Sequence, residues 1–139
     1  MIKRGPITKW FKKQLPVLTG NLLAPTGGGW EDDQYTPYAT ITPGPGQVQN
    51  QGLGNQWESW RLTYQVTFYA VDPDQVETTA DSVREELLSK KALLRDQDFG
   101  DLIVRDLSCT QIGAIGYTKQ LDPPGYSQTD VFTLEVELT

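Results

Sequence analysis

Histidine is absent from this 139-residue chain, and cysteine occurs once, as Cys109. The missing imidazole excludes zinc sites of the usual Cys/His kind and removes both the commonest general base and the commonest proton switch near neutral pH. A lone thiol rules out an internal disulfide and suits a reducing compartment. With no histidine to activate it, Cys109 reads as a small core filler rather than a nucleophile. Long apolar runs are lacking too. Nothing approaches the roughly twenty residues of a membrane span, and the first residues carry no apolar signal core, so the expectation is a soluble, non-exported chain that meets no membrane.

Motifs for phosphates and ions stop short. Gly27, Gly28 and Gly29 are not followed by the lysine and hydroxyl residue that open a phosphate-binding helix, so they signal a turn. Asp96, Asp98 and Asp101 around Gly100 approximate a calcium loop, but the glycine is out of place and the twelfth position is Leu107 instead of glutamate. A plain acidic turn remains. Neighbouring carboxylates, Asp32 with Asp33 and Glu85 with Glu86, diverge on a loop or helix and read as solvated charge. No nucleophile lies beside a base, so the expectation is a chain that is not an enzyme, with no catalytic residue, no cofactor and no metal.

What is present is polar and unevenly charged. The hydrophobic fraction is 37% and the formal charge −6. Lys3, Arg4, Lys9, Lys12 and Lys13 make the first thirteen residues purely basic, at +5, which leaves −11 on the remainder. A basic leader on an acidic body can touch nucleic acid, present a solvated helix face, or be drawn to the acidic flank of a neighbouring copy.

One unit organises the chain: WRLTYQVTFYAVDPDQVETTADSVREELLSK. From Trp60, the residues Leu62, Tyr64, Val66, Phe68 and Ala70 alternate with Arg61, Thr63, Gln65 and Thr67, the pattern of a half-buried strand. Asp72 followed by Pro73 predicts a capped helix start, with Gln75 in the second position of a capping box. Val76, Ala80, Val83 and Leu87 then form one apolar stripe. The closing segment VFTLEVELT repeats the strand alternation through Phe132, Leu134, Val136 and Leu138, so it can pair beside the first strand under the helix.

Around this centre, residues 7 to 15 predict a short helix with Ile7, Phe11 and Leu15 inward, ended or bent by Pro16. A short strand is expected near residues 36 to 42. Residues 43 to 56, rich in Pro, Gly and Gln, read as a mobile loop at the tip of a hairpin arm. Leu102 to Gln111 predicts another strand, with Arg105, Leu107 and Cys109 on one face. Residues 113 to 130 read as a turn or second loop. The expected architecture is a single α+β domain over residues 1–139: an antiparallel or mixed sheet of about four strands, covered on one face by a long helix, with a short N-terminal helix and a long arm.

Strand W-x-L-x-Y-Q-V-x-F-Y-A, the Asp-Pro turn, the helix with V-R-E-E-L and the final F-T-L-E-V-E-L strand resemble the tail terminator (tail completion) proteins of long-tailed bacteriophages. The basic opening ITKWFKKQLP is similar to the N-terminal helix of that family. The resemblance implies a non-enzymatic virion subunit of the tail or neck, assembled in the host cytoplasm. It also implies a ring, commonly hexameric, that caps the tail tube and presents a surface to the head–tail connector. A head-closure adaptor or a tube subunit shares the same physics, and a cellular binding module is the alternative outside the virion. In a ring, the arm carrying Gln47, Gln49, Gln51, Leu53 and Trp57 is expected to reach a neighbouring copy or the tube protein. Trp57, Tyr117 and Tyr126 are expected as aromatic anchors or as part of the receiving surface. Lys9, Lys12 and Lys13 are expected at a contact, with non-specific proximity to DNA in the ring lumen as one outcome.

Overall fold

The alternation along Trp60–Ala70 sorts the whole molecule into an inner and an outer face. A computed structural model describes residues 3–19, 37–50, 58–97, 99–119 and 124–138. In chain order the elements are α1 (Gly5–Thr19), β1 (Tyr38–Asn50), β2 (Glu58–Ala70), α2 (Pro73–Ser89), α3 (Lys91–Arg95), β3 (Leu102–Gln111), β4 (Gly116–Thr118) and β5 (Gly125–Leu138). The sheet is antiparallel throughout, in the order β1-β2-β5-β3, with β4 also on β5. It is an α+β fold with five strands, one more than expected.

Strands β2 and β5 form the centre and pair without a register shift from Glu58↔Leu138 to Ala70↔Tyr126. Their inward rows, Leu62, Tyr64, Val66 and Phe68 with Phe132, Leu134 and Val136, are buried. Helix α2 closes this face with Val76, Ala80, Val83 and Leu87, the stripe expected from its spacing. Helix α1 lies beside it over β1 and adds Ile7 and Phe11, while α3 adds Leu94 over β3. Each fully buried aliphatic or aromatic side chain contributes about 1.5–3 kcal/mol. Asp72 caps α2 as its position predicts, its Oδ1 accepting the Gln75 N–H at 2.8 Å, with Pro73 at the first helical position.

Four local expectations are corrected. Helix α1 starts at Gly5 and continues past Pro16 to Thr19; Pro6 sits where an amide has no partner anyway, and Pro16 forfeits one hydrogen bond without ending the helix. The segment 43–50 is strand rather than loop. Its prolines are tolerated at a sheet edge, and shifts between Pro43 and Gly46 and between Val48 and Asn50 absorb the irregularity. At Gly44 an added Cβ would lie 2.5 Å from Thr63 Oγ1, so a side chain there would displace that hydroxyl, which donates to the Pro45 carbonyl at 2.8 Å. The rest of the supposed mobile loop, residues 51–56, lies outside the described residues.

In β3 a register shift between Val104 and Asp106 turns Arg105 outward, while Val104 and Leu107 both stay inside. Arg105 therefore does not share the face of Leu107 and Cys109. Finally, β5 begins at Gly125, so the stretch read as a turn up to Asp130 is largely strand.

Two substitutions test this layout by urea unfolding. Asp72→Ala is expected to lower stability by about 1 kcal/mol through the lost cap. Leu134→Ala, at the centre of the sheet, is expected to cost about 2–5 kcal/mol.

Candidate functional site

Three surfaces and one buried node gather the side chains that are not simply core. The first surface is the far half of the β1–β2 hairpin, where Gln47 is exposed opposite Arg61 and Val48 is 43% exposed opposite Trp60. Gln49 belongs to the same strand, but its side chain lies outside the described residues, as do Gln51, Leu53 and Trp57. The second surface is the β4–β5 ladder. Tyr117, 56% exposed, meets its cross-strand partner Tyr126 edge to face at 5.5 Å, and Tyr126 leans on the core.

These surfaces are not neighbours. Val48 is in register with Trp60 and Tyr126 with Ala70, at opposite ends of β2 and so about 33 Å apart. Within one copy, Tyr117 and Tyr126 therefore do not reach that arm. Lys9, Lys12 and Lys13 form a third group, all exposed on α1 opposite Ile7 and Phe11.

Arg4, counted with the basic leader, does something else. Its Nη1 donates to the Gly44 carbonyl and its Nη2 to the Thr63 carbonyl, both at 2.7 Å, and its guanidinium lies 4.5 Å from the centre of the Tyr64 ring. Thr8 Oγ1 and Tyr64 Oη share a hydrogen bond of 2.8 Å. The start of α1 is thus bolted to the irregular stretch of the arm.

The buried node is Asp130, fully buried on β5. Between β3 and β4 the chain runs through residues 112–115 beside β5, and four residues there face three, Gln128 to Asp130. The backbone amide left over at Gly113 donates to Asp130 Oδ1 at 3.1 Å, and Gln128 Nε2 donates to the same oxygen at 2.9 Å. Arg84, from the flank of α2, donates from Nη2 to Asp130 Oδ2 at 2.9 Å and from Nη1 to Asp81 Oδ1 at 2.8 Å. Burial opposes the charge on Arg84, yet the bonds to Asp81 and Asp130 outweigh it and raise its pKa. Gly113 cannot be replaced here, because an added Cβ would overlap the Thr129 carbonyl.

Sequence reasoning missed this node. Its signal was present in the phase of β5: Gln128 and Asp130 fall on the inward row with Phe132, Leu134 and Val136, and an inward carboxylate demands a cation. Both oxygens of Asp130 are engaged and its charge is balanced, so the node fastens α2 and the 112–115 segment to the sheet. Among the described residues, no cluster of His, Cys, Asp and Glu converges as a metal site, and no helix is long and apolar enough to cross a membrane. A hollow of about 170 Å³ beside Trp60 is lined by Arg105, Glu135 and Glu137. Those charges already pair, Arg105 with Glu137 at 3.0 Å and Arg61 with Glu135 at 3.3 Å.

Comparison with protein-family models and with curated proteins finds no match for this chain.

Asp130→Ala is expected to cost about 3–5 kcal/mol in urea unfolding, since Arg84 is left buried without its partner, and pairing it with Arg84→Met should recover most of that loss. Cys109 is half-buried, and burial first, then the charge of Asp130, raises its pKa above the ordinary thiol value. Because the folded value is the higher one, the protonated thiol contributes stability below the unfolded pKa, and this is lost as pH rises through the folded pKa. Its reaction with a disulfide reagent at pH 8 should therefore be slower in the native chain than in urea.

Proposed function

We propose that this chain is a tail terminator of a long-tailed bacteriophage, a structural subunit that closes the tail tube as a ring, hexameric in the family it resembles, and contributes to the head–tail junction of the virion. Its contacts are then a neighbouring copy, the tube protein and the connector. The observation that carries the reading is the arm. Strands β1 and β2 are each thirteen residues long, about 43 Å, against the five or six residues of a typical strand. From β1 Tyr38, Ala39 and Ile41 are buried, whereas Pro43 and residues 45–48 are exposed, so that part of the strand is held in ordered pairing without filling the interior. Ordered backbone beyond the core needs a use outside it.

Ring closure supplies that use. In a heterologous contact one patch meets a different patch on the next copy, and the arm and the Tyr117–Tyr126 pair occupy opposite ends of the sheet. The arm offers polar amides with one exposed valine, and the tyrosine pair offers a rigid aromatic platform of the kind enriched at interfaces.

Inactivating the gene in its phage is expected to give overlong or headless tails; a complete absence of tails would instead mark a tube subunit, and normal virions would end the proposal. In the purified protein, deleting residues 44–54 should leave a cooperative unfolding transition but abolish ring formation by native mass spectrometry.

A further inference from the structure

Helices α1 and α2 carry opposite charge in the same direction. On α1, Lys9, Lys12 and Lys13 are exposed on the side opposite the buried Ile7 and Phe11. On α2, Asp74, Glu77, Asp81 and Glu85 follow at spacings of three, four and four, all exposed and opposite Val76, Ala80, Val83 and Leu87. Both helices pack on the same face of the sheet, and the Lys90 Nζ donates to Gln14 Oε1 at 2.7 Å, tying their C-terminal parts together. The three lysines, Asp74, Glu77 and Glu85 make no ion pair among the described residues; Asp81 is bound by Arg84.

One layer thus shows a positive and a negative stripe side by side, on helices of fifteen and seventeen residues, or about 23 and 26 Å. We infer that this helical layer is a docking surface for a second copy of the chain, turned by a two-fold axis so that α1 of each copy lies on α2 of the other. The two-fold follows from the geometry. Both stripes point away from the sheet, so a single partner laid over the layer satisfies both, whereas two separate partners would collide above it. An isologous contact of this kind leaves the arm and the tyrosine pair uncovered, so it does not rest on the terminator reading.

Exposed ion pairs are individually weak and screened by salt, so the pairing is a low-salt, concentration-dependent equilibrium. Raising ionic strength from 50 to 500 mM should weaken it about tenfold or more as the Debye length shrinks. The full chain is examined by analytical ultracentrifugation with two charge-reversed variants, K9E/K12E/K13E and E77K/E85K, whose altered positions face solvent and spare the core. Each variant alone should lose the salt-sensitive pairing that the parent chain shows, with any ring formed through the arm unaffected. Mixed in equal amounts they should pair one to one, because the K9E/K12E/K13E stripe of one variant then faces the E77K/E85K stripe of the other, while the native lysines face the native acidic stripe.

A parent chain that stays monomeric at low salt overturns the inference, as do reversals without effect and a folded mixture that fails to associate. So does a lysine reversal that spares dimerisation yet abolishes binding to a short DNA duplex, which would make that face a nucleic-acid surface. Deleting residues 44–54 should leave this dimer intact while ring formation is lost, which separates failure here from failure of the terminator reading.

Discussion

The unbroken pairing of β2 with β5 is the constraint on which everything else hangs. A sheet has a side-chain period of two, and sliding β5 by one residue would send Phe132, Leu134 and Val136 outward and Thr133 and Glu135 into the core. The helices have a dry face to cover only in the observed register. Every irregularity in the sheet, at Pro43–Gly46, Val48–Asn50, Val104–Asp106, Cys109–Gln111 and residues 112–115, is displaced onto the flanking strands, where pairing is one-sided and distortion is cheap.

That displacement creates the polar needs which Arg4 and Arg84 meet. Each is a planar donor, Arg84 on α2 and Arg4 just ahead of α1, reaching to a point where the sheet backbone departs from regular geometry. Arg4 satisfies carbonyls beside the β1 irregularity, and Arg84 neutralises the carboxylate that serves the amide of Gly113. Lysine, with a single point of charge, would not bridge two acceptors in fixed directions. The two helices are therefore located by charge-assisted bonds at their margins as well as by apolar contact in the middle.

The parts legible in the sequence were those where one period dominates. The alternation from Trp60 to Ala70, the cap at Asp72 with its following stripe, and the final strand all follow from spacing, and the central pairing follows from their match. The arm's ordered length was hidden because Pro43, Gly44, Pro45 and Gly46 are breakers in an isolated chain; only a neighbouring strand that accepts a bulge makes them strand residues. The start of β5 was hidden for a related reason. Gln128 and Asp130 interrupt the apolar row, and the cation that makes their burial tolerable comes from a residue 46 positions away. Of the candidate surface residues, the exposure of the α1 lysines was readable from helical phase. The separation of Tyr117 and Tyr126 from the arm was not, because it depends on which end of a long strand each one meets.

The broken rim formed by β3, residues 112–115 and β4 bears on how copies can accumulate. A continuous outer strand is a template onto which another chain can add indefinitely, as in fibrils. Here the register shifts in β3 and the extra residue at 112–115 break the regular spacing of that rim. Among the described strands, regular strand addition is left to the β1 side, so growth by sheet extension is one-directional and self-limiting, and copies can stand at high concentration without polymerising edge to edge.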